Sequence, residues 1–121
     1  GLVEVYRYVK ESSSWEQEGN SVFGKASGDF FGSSLSLSED GSSLAVGAAG
    51  NGGYAEVYFL NSCSWDQLGG TILVSQAQLD VFSVSLSNDG KTLAVGGVPA
   101  TEDGAVAMVF QRVAGNWKER G

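Results

Sequence analysis

Ser36-Leu37-Ser38-Glu39-Asp40-Gly41-Ser42-Ser43-Leu44-Ala45-Val46-Gly47 returns as Ser85-Leu86-Ser87-Asn88-Asp89-Gly90-Lys91-Thr92-Leu93-Ala94-Val95-Gly96, at an offset of 49 residues (85 − 36). Outward from this pair, Trp15-Glu16-Gln17-Glu18-Gly19 returns as Trp65-Asp66-Gln67-Leu68-Gly69, 50 residues on (65 − 15). A looser copy, Trp117-Lys118-Glu119-Arg120-Gly121, follows 52 residues later (117 − 65). A period near fifty with four short strand-like runs per period is the pattern of a β-propeller blade. Units of this kind bury their apolar faces only against neighbours, so the number of units matters more than the length of 121 residues.

The runs are strands by content and by period. Leu2 to Tyr8, Tyr54 to Phe59 and Ala105 to Phe110 are rich in β-branched and aromatic residues. Ser33 to Ser38 and Ser83 to Ser87 alternate between apolar and small polar residues, which puts Leu35 and Leu37 on one face and serines on the other. Small side chains suit strands that converge on an axis, so these are expected innermost. Asp40-Gly41 and Asp89-Gly90 join them to the Leu-Ala-Val-Gly strands as hairpins, because Gly accepts the positive φ of such turns. The Tyr strands come third and the Trp strands are outermost.

This order predicts an all-β fold, a partial β-propeller of about two and a half four-stranded antiparallel blades. Residues 1–20 supply the outer half of a blade, 21–69 one blade and 70–121 another. The stretches 20–28 and 70–78 are the expected crossings from one rim to the next centre. A closed propeller needs about 4–8 blades. The expectation is therefore a segment of something larger, completed by more of the same polypeptide or by other chains, with the Leu2–Tyr8 strand presenting an edge that lacks a partner from its own blade.

Composition narrows the function. Hydrophobic residues make up 42% and charged residues 17%, too apolar for disorder. Glycine is abundant at 18 against one proline, which suits many tight turns. The net charge of −7 and the lack of a basic stripe argue against nucleic acid and anionic membrane surfaces. No apolar run is long enough to insert into a membrane, and no signal peptide is visible at the start. Cys63 stands alone and reads as a small filler or loop thiol. There is no histidine, which closes the Ser-His-Asp and Cys-His mechanisms and the His-containing zinc sites.

Asp29-Phe30-Phe31-Gly32-Ser33-Ser34-Leu35, then Leu44-Ala45-Val46-Gly47-Ala48, then Gly53 and Val57-Tyr58, resemble the FG-GAP repeat, which builds the seven-bladed propeller of integrin α subunits. The resemblance covers essentially the whole chain. It implies an extracellular or cell-surface location and a role in protein binding. The Phe-Gly pair is degraded to Phe82-Ser83 in the second copy, and that copy is two residues shorter there. Family members often carry a calcium loop rich in Asp between the two inner strands. Here one Asp remains per copy, Asp40 or Asp89, where calcium wants six to eight oxygens. Both aspartates read as turn residues, and no calcium, metal or other cofactor is expected. The WD40 repeat is a weaker match: its period is ~40–45, and its Gly-His and Trp-Asp pairs do not fall at their places.

No acidic pair in the sequence reads as a catalytic pair. Glu39-Asp40 belongs to its turn, and Glu16 and Glu18 flank Gln17 on an outer strand facing solvent. Glu102-Asp103, before Gly104, is a weak candidate for a cation contact. Gly50-Asn51-Gly52-Gly53 opens no helix and has no following Lys, so it does not read as a phosphate loop. The aromatic column Tyr6, Tyr58 and Phe110 reads as packing between units. With no catalytic set, the chain is not expected to be an enzyme. The expected function is a non-catalytic interaction module whose partner is a protein or a glycan. The alternative is a structural, scaffolding subunit whose sheet is completed by further copies or other chains.

Overall fold

The computed structural model describes the backbone of residues 1–74, 79–99 and 104–120. These are strands and turns, with no helix among the described residues. β1 (Leu2–Val3) pairs with β4 (Val22–Phe23), and β2 (Tyr6–Val9) with β3 (Ser14–Gln17). The middle sheet runs β5 (Phe31–Leu37), β6 (Ser43–Ala48), β7 (Tyr54–Asn61), β8 (Ser64–Gln67), with β9 (Ile72–Leu73) paired to β7. The last sheet runs β10 (Leu79–Leu86), β11 (Thr92–Pro99), β12 (Val106–Val113), β13 (Asn116–Glu119). Among the described residues all pairings are antiparallel, and no sheet closes on itself.

The repeat is visible in the register. Leu44 lies opposite Tyr58 in the middle sheet, and Leu93 opposite Phe110 in the last. The β5–β6 and β10–β11 hairpins close alike. The Ser38 N–H donates to the Ser43 carbonyl at 2.9 Å, and the Ser87 N–H to the Thr92 carbonyl at 2.8 Å. Gly41 and Gly90 sit at φ 74° and 73°, a region other residues avoid. β5 and β10 differ at a bulge. Gly32-Ser33 is unpaired between Phe31 and Ser34, where the last sheet omits only Phe82 between Val81 and Ser83.

Two expectations need correction. Leu2 to Tyr8 is not one uninterrupted strand: pairing is broken at Glu4-Val5. The matching strand β7 is continuous because β6 runs along its other edge, from Ser43 opposite Phe59 to Ala48 opposite Tyr54. Residues 2–9 have no such companion among the described residues. The crossings are also not pure connectors, since each contributes a short strand, β4 or β9, that caps the preceding Tyr strand.

The middle sheet packs on both faces at β6 and over most of β7. One face places Ala45, Ala55 and Val57 against Val84, Leu86, Leu93, Val95 and Phe110 of the last sheet. The other gathers Phe31, Leu44, Val46, Tyr54, Tyr58 and Trp65 around Val3 and Val22. This explains why β6 is buried along its whole length and carries only small or aliphatic residues.

Candidate functional site

Two features recur from unit to unit, and a third, an apolar face, is covered in one unit and open in the other. The first is a tryptophan clasp. Trp65 donates its indole N–H to the Glu18 carbonyl at 2.8 Å, and Trp117 donates to the Leu68 carbonyl at 2.9 Å. Each ring lies over a glycine of the preceding unit. A Cβ on Gly19 would come within 2.6 Å of Trp65, and one on Gly69 within 2.9 Å of Trp117. Trp65 and Trp117 are 4% and 9% exposed, whereas Trp15, at the same place in the first unit, is 68% exposed.

The second is a carboxylate–tyrosine pair. In the middle sheet the Tyr58 hydroxyl donates to Glu56, Thr71 Oγ1 donates to Glu56 at 3.0 Å, and Gln67 donates to Thr71 at 3.3 Å. Near the N-terminus Tyr6 donates to Glu4 at 2.7 Å, Ser21 to Glu4 at 3.1 Å, and Gln17 to Ser21 at 3.3 Å. Glu56 is buried and Glu4 is exposed. Lys25 from the preceding crossing places its ammonium 3.2 Å from Glu56. Burial, then the bond to Glu56, raises the Tyr58 hydroxyl well above its ordinary value, and the bond to Glu4 raises Tyr6. The last sheet has Met108 and Phe110 at these positions, apolar replacements of similar shape.

Asp29 forms a further buried knot just before β5. It accepts the Tyr54 hydroxyl at 2.5 Å and the backbone N–H groups of Lys25, Ala26 and Phe31 at 3.0, 3.1 and 3.0 Å. The Tyr54 bond, with those N–H donors, holds its carboxyl down at about 2, against the opposing effect of burial. Burial and the same bond push Tyr54 up to about 12. Both lone-pair sets of the carboxylate are spent on the fold, so Asp29 staples the crossing to β7.

The third feature is an open apolar face. Val84 and Leu86 on β10 are covered by the middle sheet and are 8% and 7% exposed. Their counterparts on β5, Leu35 and Leu37, are 51% and 48% exposed. A cleft of about 270 Å³ lies there, lined by Val3, Val5, Tyr6, Leu35, Leu37 and Leu44. It continues along β2 past Tyr8 and Trp15 to the Asp40 turn. The edge of β2 opposite β3 borders it.

The residues singled out in the sequence fall apart rather than together. Asp40 accepts the Ser42 N–H at 3.0 Å and the Ser38 hydroxyl at 2.9 Å, and Asp89 accepts the Ser87 hydroxyl at 2.7 Å and the Lys91 N–H at 3.0 Å. These bonds lower both carboxyls and hold the turns. Glu102 and Asp103 lie outside the described residues. Glu18 pairs with Arg7 at 3.5 Å. Gly50 to Gly53 form a turn, with the Gly50 N–H on the Asp29 carbonyl at 2.8 Å. Cys63 is an exposed thiol in the β7–β8 turn. Among the described residues no three His, Cys, Asp or Glu side chains cluster as metal ligands. No described helix is long and apolar enough to cross a membrane. Sequence reasoning missed Glu56 and the role of Asp29. The recurrence of Glu-x-Tyr at 4–6 and 56–58 was the available signal.

Neither the known family models nor the curated proteins contain a match to this chain.

Proposed function

We propose that the chain is a stretch of FG-GAP-like β-propeller that serves as a non-catalytic interaction module. The observation that carries this reading is the twice-made clasp, Trp65 on Glu18 and Trp117 on Leu68. The same contact made twice between successive units supports a constant geometric step between them, which blades about an axis require. The serine-rich inner strands support it, since β5 and β10 are joined side by side through the Leu86 N–H and Ser36 Oγ at 2.9 Å. The non-catalytic part rests on the buried carboxylates. Asp29 and Glu56 are saturated by donors of their own chain and offer no base to a cleft.

A crystal structure tests the architecture. One rotation is expected to carry β7–β8 onto β12–β13 and, about the same axis, β2–β3 onto β7–β8, with β5 and β10 nearest that axis. Two unrelated axes, or a translation in place of a rotation, would overturn it.

The second reading is a structural subunit completed by other chains, favoured by the open edge of β2. Sedimentation over a range of concentrations separates the two. A monomer supports the interaction module, and a discrete oligomer supports the subunit.

A further inference from the structure

We propose that the cleft between β2 and β5 is the seat of a β-hairpin of the repeat's own inner kind, presented by a segment of polypeptide outside the described residues and not by a second copy of this chain. The proposal rests on the repeat reading given above and names the occupant of its open face.

The molecule contains the filled version of this site. Val84 and Leu86 on β10 are buried by β5, β6 and β7 of the middle sheet, through Ser36, Ala45, Ala55 and Val57. In the first unit, Val3 and Val5 stand where Ala55 and Val57 stand in the second, since Val3 pairs with Val22 as Ala55 pairs with Ile72. Among the described residues, none stands beside Leu35 and Leu37 at the places of Ser36 and Ala45. These two belong to adjacent strands, directly opposite each other in register. The occupant is therefore two antiparallel strands that present a small residue from each.

Its second strand would run along β2 as β6 runs along β7, supplying the ladder whose loss breaks the pairing at Glu4-Val5. The facing residues must be small. At the filled site Ala45 is wholly buried against the neighbouring sheet, so a longer side chain there has no room. The second copy of this chain is a poor occupant. Its two inner hairpins already pair with their own Tyr strands, β6 with β7 and β11 with β12, and would have to leave them. A matching cation is also called for: Lys25, which precedes the inner strand β5, reaches Glu56, and Glu4 stands at the corresponding place.

The test is a fusion in which a second copy of residues 25–52 precedes Gly1 of the intact chain. Hydrogen exchange is expected to slow by about 100-fold or more at amides between Glu4 and Tyr8. The Tm is expected to rise by about 5 °C or more. Leu37→Glu in the original copy, at a position half-exposed in the unfused chain, should cancel both gains. So should Ala45→Lys made in the added copy alone. Unchanged exchange at residues 4–8 in the fusion would overturn the proposal. So would gains that survive both substitutions, or protection of the same amides in the unfused chain as its concentration rises. If those failures occur while one rotation still relates the sheets, the propeller reading stands and only the occupant is wrong.

Discussion

Trp65 reaches across to the preceding unit and gives its indole N–H to the Glu18 carbonyl at 2.8 Å, with its ring seated over Gly19. The clasp joins residues 47 apart in sequence and is repeated by Trp117 and Leu68, 49 apart. Trp65→Phe keeps most of the packing but leaves a carbonyl without its donor, so it is expected to cost about 1–3 kcal/mol. Trp15→Phe, at the uncovered position, should change stability by no more than about 0.5 kcal/mol. Urea denaturation of the two variants beside the parent chain measures the contrast, and equal costs would contradict it.

Acid should loosen the crossing between the first and middle units. Asp29 is held at about 2 in the fold, below its ordinary 3.8. A depressed carboxyl contributes stability that is full above the unfolded value and is lost as pH falls through the folded one. The window is therefore from about pH 4 down to about pH 2. Tyr54→Phe removes the largest cause of the depression and should narrow that window, flattening the fall in stability over it. Asp29→Asn should remove the Asp29 share of that dependence, leaving the shares of Asp40 and Asp89, and lower stability at pH 7. Denaturation midpoints at pH 2 to 7 give the comparison.

Leu86 and Leu37 occupy the same place in the β10–β11 and β5–β6 hairpins, opposite Leu93 and Leu44. Leu86→Ala opens a cavity against the middle sheet and should cost about 2–4 kcal/mol. Leu37→Ala removes a half-exposed side chain and should cost about 1 kcal/mol or less. Identical losses would mean that the two leucines share one environment.

The Glu56–Tyr58 pair and its apolar counterpart Met108–Phe110 make a natural exchange. Glu56→Met alone leaves the buried Tyr58 hydroxyl without its acceptor, at a cost of about 1–3 kcal/mol. Adding Tyr58→Phe should recover most of that loss, as the last sheet does with the same residue types. A double-mutant cycle is expected to show coupling of about 1 kcal/mol or more. Additive effects would show that the pair does not act together.

The all-β class, the hairpins at Asp40-Gly41 and Asp89-Gly90, and the order of strands within each sheet were legible in the sequence. Alternation, turn chemistry and β-branched content act over a few residues, and a repeat states them twice. The burial of β6 on both faces was half legible in Leu44-Ala45-Val46-Gly47, which offers no polar side. The short strands β4 and β9 were not legible, because two residues carry no period.

What only the tertiary structure decided is which copies of a repeated residue are covered. Leu37 and Leu86, or Trp15 and Trp65, are alike in local sequence. Their exposure differs because burial is set by the neighbouring sheet, which lies some fifty residues away along the chain. The same holds for Asp29 and Glu56. Each is an ordinary acidic residue in its own segment, and becomes a buried staple only when Tyr54, Thr71 and Lys25 arrive from other elements to satisfy it. Local chemistry wrote the strands and turns. Contact between units assigned each repeated side chain its role.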